Sequence, residues 1–132
     1  MSHADHTRHG FDLERAMASA KADWEAGATL GTLRRNIDEL DEEIVALLAR
    51  RQHWVTLAAF VKRESGEEAV RAPERVDEVL GKVKALADEN GLSHDIAEPT
   101  YRALIAASID HQLGAHRLLR ARSAAPRVTA GR

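Results

Sequence analysis

Two positively charged residues lie on a helix face that is otherwise apolar. From Leu30 to Val61, apolar residues recur at alternating steps of three and four, the pattern of a seam that faces a partner helix, but Arg51 interrupts it. Lys62 follows 11 residues after Arg51, and at 100° per residue it points within about 20° of the same direction. The two side chains start about 16 Å apart along the helix axis and can lean together. Such a pair can grip one small dianion.

A second stripe of residues breaks its apolar pattern in a matching way. Between Tyr101 and Leu119, the positions on one helix face step by fours and threes, and the two central ones are Ser108 and Gln112. Adjacent polar residues opposite two cations are typical of the wall of a polar binding pocket. The alternative interpretation of Arg51 is structural: its guanidinium reaches water or pairs with a carboxylate across the interface.

The histidines do not indicate acid–base, nucleophilic or metal chemistry. None has the spacing of a catalytic triad or a zinc site, and we interpret four of them as surface or core residues: His53, His94, His111 and His116. No metal and no cofactor is implied. A cationic pocket with amide and hydroxyl groups, and without a general base, suits a reaction that needs conformational restraint and electrostatic stabilisation rather than proton transfer.

Arg34 can join this pocket only from a second chain. It precedes Arg51 by 17 residues, which is about 25 Å along one helix, a distance that no small ligand spans. The antiparallel helix of a second copy, related by twofold symmetry, would bring Arg34 beside Arg51 and Lys62. The alternative is that Arg34 is one of two solvated arginines in "LRRNID".

The elements that must position these residues are helices, and the sequence predicts an all-α fold. The long helix is expected from about Thr29 to Ser65, with Thr29 or Thr32 as its cap. The segment "SGEEAVRA" that follows is expected to be a loop. At roughly 35 residues the helix is about 50 Å long, and its strict heptad seam needs another helix to cover it.

Two further helices complete the predicted domain. Pro73 suits the first turn of the second helix, and "NG" at 90–91 ends it. The third helix is expected from residue 93 or 95 to about Arg120, and because of Pro99 it must either start later or bend. The chain thus divides into an N-terminal extension, 1–28, a helical domain, 29–120, and a disordered tail, 121–132. The extension is expected to hold a disordered leader rich in histidine and a short accessory helix within 11–26.

Composition excludes several classes of protein. The 132 residues carry a net charge of −2, which argues against a nucleic-acid binder. The absence of cysteine excludes disulfides and cysteine-ligated zinc. The sequence has no apolar run of membrane-spanning length and no signal-peptide pattern, so a cytoplasmic protein without a membrane role is expected.

The frame "LRRNIDELDEEIVALLARR", then Lys62, "APERV" and "SIDHQ", resembles the all-helical chorismate mutase family of the AroQ type over about residues 30–117. The resemblance implies an intertwined antiparallel homodimer of three-helix chains with two active sites. It also implies the Claisen rearrangement of chorismate, a small dicarboxylate, to prephenate without a cofactor.

The resemblance assigns a role to each polar residue of the frame. Arg51, joined by Arg34 from the other subunit, would hold one carboxylate of the substrate, and Ser108 would help to bind the ring carboxylate. Lys62 and Gln112 would donate hydrogen bonds to the ether oxygen, where negative charge develops as the C–O bond breaks.

One position departs from the family pattern. Many members carry a glutamate on the second helix that recognises the ring hydroxyl of chorismate, and here that position is Val76. The string "APERV" resembles the isochorismate pyruvate-lyase branch, and loss of the polar partner relaxes discrimination at this ring position. Isochorismate pyruvate-lyase and 4-amino-4-deoxychorismate mutase are therefore alternatives. An alternative of another class is a weakly active helical dimer that binds a shikimate-pathway enzyme through the accessory helix.

Overall fold

The computed structural model describes residues 7–8 and 11–124 and has an all-α fold, as predicted. A minimal antiparallel pair, β1 (Thr7–Arg8) and β2 (Phe11–Asp12), precedes five helices. The helices are α1 (Leu13–Glu25), α2 (Leu30–Val61), α3 (Glu67–Arg71), α4 (Pro73–Asn90) and α5 (His94–Ala124). Most of the predicted histidine-rich leader and residues 125–132 of the predicted tail lie outside the described residues. The division into extension, domain and tail stays a prediction.

The long helix α2 begins where the sequence predicts and ends earlier than expected. Thr29 is its N-cap, and the Thr29 hydroxyl accepts a hydrogen bond of 3.2 Å from the backbone N–H of Thr32. The helix ends at Val61 rather than near Ser65, and Lys62 is its C-cap. The cause is tertiary, because side chains of α5 bond to the carbonyl oxygens of the segment that follows.

The expected loop at 65–72 contains the short helix α3, so the prediction of a plain loop was wrong. A helix of five residues is not stable alone, and contacts with α5 hold it in place. Val70 is buried, and Glu67 accepts two hydrogen bonds from the Arg117 guanidinium, at 2.7 and 2.8 Å. Ala72 adopts a left-handed conformation with φ of 37°, which turns the chain directly into α4.

Helices α4 and α5 follow the prediction closely. Pro73 occupies the first turn of α4, and Gly91, with φ of 68°, caps its end. Helix α5 begins at His94, passes through Pro99 and continues to Ala124, a few residues beyond the expected end at Arg120. The alternative in which Pro99 makes the helix start later was wrong: Pro99 is the sixth residue of α5, in the second turn, where it removes one helical backbone hydrogen bond.

Helix α5 is the centre of the fold, since it packs against α2, α3 and α4. A small apolar core between α4 and α5 is formed by Val83, Ala87 and Ala97, with Val79 and Tyr101 packed against it. The N-terminal half of α2 has no such cover in the described chain. The large apolar side chains of this half are about half exposed, for example Ile37 at 51%.

Helix α1 confirms the expected accessory helix. It is capped by Asp12, whose carboxylate accepts a hydrogen bond of 3.2 Å from the backbone N–H of Arg15. Met17 and Trp24 on this helix are exposed, Trp24 at 70%. Within the described residues, no helix has the length and apolar character needed to cross a membrane.

Candidate active site

Arg51 turns toward α5 and contacts the first of the two predicted polar residues. Its Nη1 donates a hydrogen bond of 2.8 Å to the Ser108 hydroxyl, which in turn donates to the Leu104 carbonyl at 2.7 Å. The side chain is half-buried. Among the described residues, no carboxylate forms an ion pair with Arg51. A partly desolvated guanidinium with a neutral partner retains the capacity to bind an anion.

Lys62 contacts the second predicted polar residue one turn further along α5. Its Nζ donates a hydrogen bond of 3.1 Å to Oε1 of Gln112. The amide nitrogen of Gln112 donates to the Val55 carbonyl at 3.3 Å, and the side chain is only 8% exposed. Gln112 therefore links the ammonium group to the backbone of α2 and fixes its position.

A groove of about 310 Å³ joins the two cations. Four of the residues that the sequence analysis singled out line it, namely Arg51, Lys62, Ser108 and Val76, whereas Gln112 does not line it and contacts it through Lys62. Apolar residues form the rest of the wall, among them Trp54, Val55, Ala58, Val70, Val79, Ile105 and Ile109. Larger concavities lie elsewhere, one beside Arg63 and Arg120 and one between α1 and the start of α2. Neither contains the combination of two predicted cations with polar partners.

The groove is also lined by two arginines that were not predicted as site residues. Arg71 ends α3, and Arg75 lies in the first turn of α4. The left-handed turn at Ala72 brings both to the same wall. Arg71 and Arg75 are four positions apart, on either side of the proline that starts α4. This spacing could have indicated a shared surface, but the segment before Pro73 was predicted to be a loop. Arg75 also donates to Glu78 at 2.5 Å, and contacts with Lys82 and Arg75 hold the pKa of Glu78 below its ordinary value.

The groove is electrostatically one-sided. Four cationic side chains line it, and no aspartate, glutamate or histidine does: the cations are Arg51, Lys62, Arg71 and Arg75. Low-dielectric walls around charges of one sign concentrate the field and favour an anionic ligand. The described residues also contain no group of three metal-ligating side chains. The arrangement can bind a dianion and stabilise negative charge, and it offers no general base for proton abstraction.

Arg34 is the predicted site residue that lies far from the groove, on another part of α2. It is exposed on the N-terminal half of α2, the half whose apolar face is uncovered. Within one chain Arg34 and Arg51 lie 17 positions apart on the continuous helix α2, which is about 25 Å along its axis. Its participation in the site requires a second copy and stays a prediction.

Comparison with known proteins gives the family and one curated relative. The family model of type II chorismate mutase matches residues 33–113. An isochorismate pyruvate lyase from Pseudomonas aeruginosa is 37% identical over 76 residues, which cover 58% of this chain and 73% of that protein. No solved structure matches the chain significantly.

Proposed function

The chain belongs to the type II chorismate mutase family, and we propose that it catalyses the rearrangement of chorismate to prephenate. The observation that carries this proposal is the pairing of Arg51 with Ser108 and of Lys62 with Gln112 along a single groove. Chorismate carries two carboxylates and an ether oxygen between them. A groove with cations along its length and no general base fits that charge distribution.

The groove would act by selecting one conformation and stabilising one charge. In the rearrangement the ether C–O bond breaks as a new C–C bond forms, and no proton is transferred. Arg51 and Ser108 would hold the carboxylates so that the enolpyruvyl group folds over the ring. Lys62 would donate to the ether oxygen, and its hydrogen bond would strengthen as negative charge grows there. Such a donor typically lowers the barrier by about 3–4 kcal/mol.

Gln112 would act mainly through Lys62. In this structure its oxygen faces the ammonium group and its nitrogen faces the Val55 carbonyl. Donation from Gln112 to the ether oxygen, the role that the family resemblance implies, would require the amide to rotate away from Val55. We therefore assign the main electrostatic contribution to Lys62 and the orientation of its ammonium group to Gln112.

A homodimer would supply Arg34 and cover the exposed face of α2. Two copies of α2 would pair in antiparallel orientation about the middle of the seam. In this register each seam residue faces a seam residue of the second copy, and the two residue numbers sum to 91. The facing pairs are Leu30 with Val61, Leu33 with Ala58, Ile37 with Trp54, Leu40 with Arg51, and Ile44 with Leu47. The same register sets Arg34 opposite Leu57, midway between Arg51 and Lys62.

This register supports a shared site by an argument independent of the family. The apolar pattern restricts the register to this one or to shifts by whole heptads, and only this one pairs every seam position from Leu30 to Val61. Arg34 is not part of that pattern, yet this register would set it between Arg51 and Lys62 of the second copy. The half-exposed apolar side chains of the N-terminal half of α2 would be buried by the same contact.

A second candidate function is cleavage of isochorismate. Two observations favour it: Val76 gives the groove wall an apolar surface, and the curated relative is named an isochorismate pyruvate lyase. A site without a polar partner for a substituent discriminates weakly at that position. The amino substrate, 4-amino-4-deoxychorismate, is a third possibility for the same reason.

One experiment separates these three activities. The purified protein is incubated with each of the three substrates, and the products are identified by chromatography. We expect the highest kcat/KM for chorismate, with prephenate as the product. Faster release of pyruvate from isochorismate would assign the lyase function instead. Absence of turnover with all three would refute the enzymatic proposal.

An exposed helix favours an additional role in binding a partner. Met17 and Trp24 on α1 are solvent-exposed, and α1 makes few contacts with the other helices. A shikimate-pathway enzyme in the cytoplasm is the partner that the family would suggest. Deletion of residues 1–28 should then abolish co-purification of that enzyme while turnover is retained. Retained co-purification would exclude α1 as the docking element.

A further inference from the structure

His116 contacts the backbone of Lys62 from the interior of the protein. The imidazole is fully buried, with 0% exposure, and it lies one turn after Gln112 on α5. Its Nε2 lies 3.1 Å from the Lys62 carbonyl oxygen and 2.8 Å from the Ser65 carbonyl oxygen. Both neighbours are acceptors, so Nε2 carries the proton and donates.

Lys62 needs such an anchor because of its place in the fold. It is the C-cap of α2, where the carbonyl groups lack the usual helical partners, and its own carbonyl accepts from the Ser65 backbone N–H at 2.8 Å as well as from His116. Its side chain is long and flexible, so the position of Nζ depends on how firmly the backbone of Lys62 is held at the end of the helix. Gln112 holds the tip of the side chain, and His116 holds the carbonyl of the same residue.

We propose that His116 is a positioning residue for Lys62, and this inference rests on the proposed function. Gln112 and His116, on successive turns of α5, bond to the side-chain ammonium group and to the backbone carbonyl of Lys62. Together these contacts fix the ammonium group over the groove. The Nδ1 atom of His116 is buried and has no hydrogen-bond partner among the described residues. An apolar side chain would avoid the free-energy cost of that atom, so packing alone does not account for a histidine here.

Neighbouring contacts hold the same segment but do not reach Lys62. Arg120, one turn further along α5, donates to the carbonyls of Arg63 and Ser65 at 3.4 and 3.3 Å, and Arg117 bonds to Glu67. Both arginines are exposed at the surface. Among the described side chains, only His116 bonds to the Lys62 backbone.

The chain provides a matched control on the same helix. His94 is also buried, at 9% exposure, and its Nε2 lies 3.2 Å from the Lys84 carbonyl oxygen and 2.9 Å from a carboxylate oxygen of Asp88. It sits at the opposite end of α5, about 33 Å from His116 along the helix axis. Replacing His94 removes a comparable buried contact without touching the groove.

The test compares His116→Leu, His116→Gln and His94→Leu with the full-length wild-type protein. We expect His116→Leu to lower kcat about tenfold or more and to change KM less than threefold, because Arg51 and Ser108 still bind the carboxylates. His116→Gln keeps a donor and should recover most of kcat. His94→Leu should lower the melting temperature similarly and keep kcat near the wild-type value. Equal kcat losses in both leucine variants, or no loss in either, would overturn the proposal.

A second measurement does not depend on turnover. Crystal structures of the two leucine variants should show the Lys62 ammonium group separated from Gln112 in His116→Leu and in place in His94→Leu. An unchanged Lys62 in both would refute the positioning role even if the wild-type protein proved inactive on all three substrates. Inactivity of the wild-type protein alone would refute the proposed function, so the two failures are distinguishable.

Discussion

At the scale of single residues, the central feature is a guanidinium on an apolar helix face that pairs with a hydroxyl. The Arg51 side chain is held by Ser108 and by no described carboxylate, so its charge is oriented but not neutralised. Desolvation of an uncompensated cation disfavours the folded state. Binding of an anion beside Arg51 would offset this cost.

We expect Arg51→Ala to reduce kcat/KM on the order of hundreds-fold, because it removes a charge that binds and orients the substrate. The melting temperature should stay unchanged or rise slightly, since an unpaired, partly buried cation is lost. Steady-state kinetics and circular dichroism melting measure the two effects.

Arg50→Ala is the matched control, because Arg50 is adjacent in sequence but exposed on another face of α2. It should leave both kcat/KM and the melting temperature near the wild-type values. If Arg51→Ala instead lowers the melting temperature strongly and activity only in proportion, Arg51 is a structural residue and the binding role fails.

At the scale of elements, the sequence could predict the helices that local signals define. The cap at Thr29, the first-turn proline of α4 and the glycine at 91 are each encoded by one or two residues. The end of α2 and the short helix α3 could not be predicted, because both depend on contacts with α5 that are distant in sequence. The contributions of Arg71 and Arg75 to the groove depend on α3, so they could not be predicted without it.

The ion pair between α3 and α5 should make stability depend on pH. The hydrogen bond from Arg117 is the main cause that lowers the pKa of Glu67 below its ordinary value of 4.5. A lowered folded-state pKa means that the contribution is complete above about 4.5 and is lost as pH falls through the folded value. The effect should be small because the pair is exposed.

Thermal melting of wild type and Glu67→Gln across this pH range measures the contribution. The wild-type advantage should be present at neutral pH and vanish in acid, and other carboxylates cancel because they titrate in both proteins. Glu68→Gln is the control, since Glu68 lies beside Glu67 without bonding to Arg117. Parallel curves for wild type and Glu67→Gln would show that the ion pair contributes nothing.

At the scale of the whole molecule, the described chain is half of the proposed assembly. The groove residues Arg51, Lys62 and Ser108 were predictable from spacing, because a helix converts sequence intervals directly into faces. Arg34 was predictable only as a residue that one chain cannot bring to the site. In the proposed dimer, the antiparallel register of α2 would place it between Arg51 and Lys62 of the second copy, which would make the site a property of the dimer.

The most direct test of this shared site mixes two inactive variants. Arg34→Ala and Arg51→Ala chains are co-expressed, and heterodimers are verified by mass spectrometry before activity is measured. Each heterodimer contains one intact site and one doubly altered site, so a statistical mixture should recover about a quarter of the wild-type activity. Activity no higher than that of either variant alone, with heterodimers present, would contradict a groove completed by the second subunit.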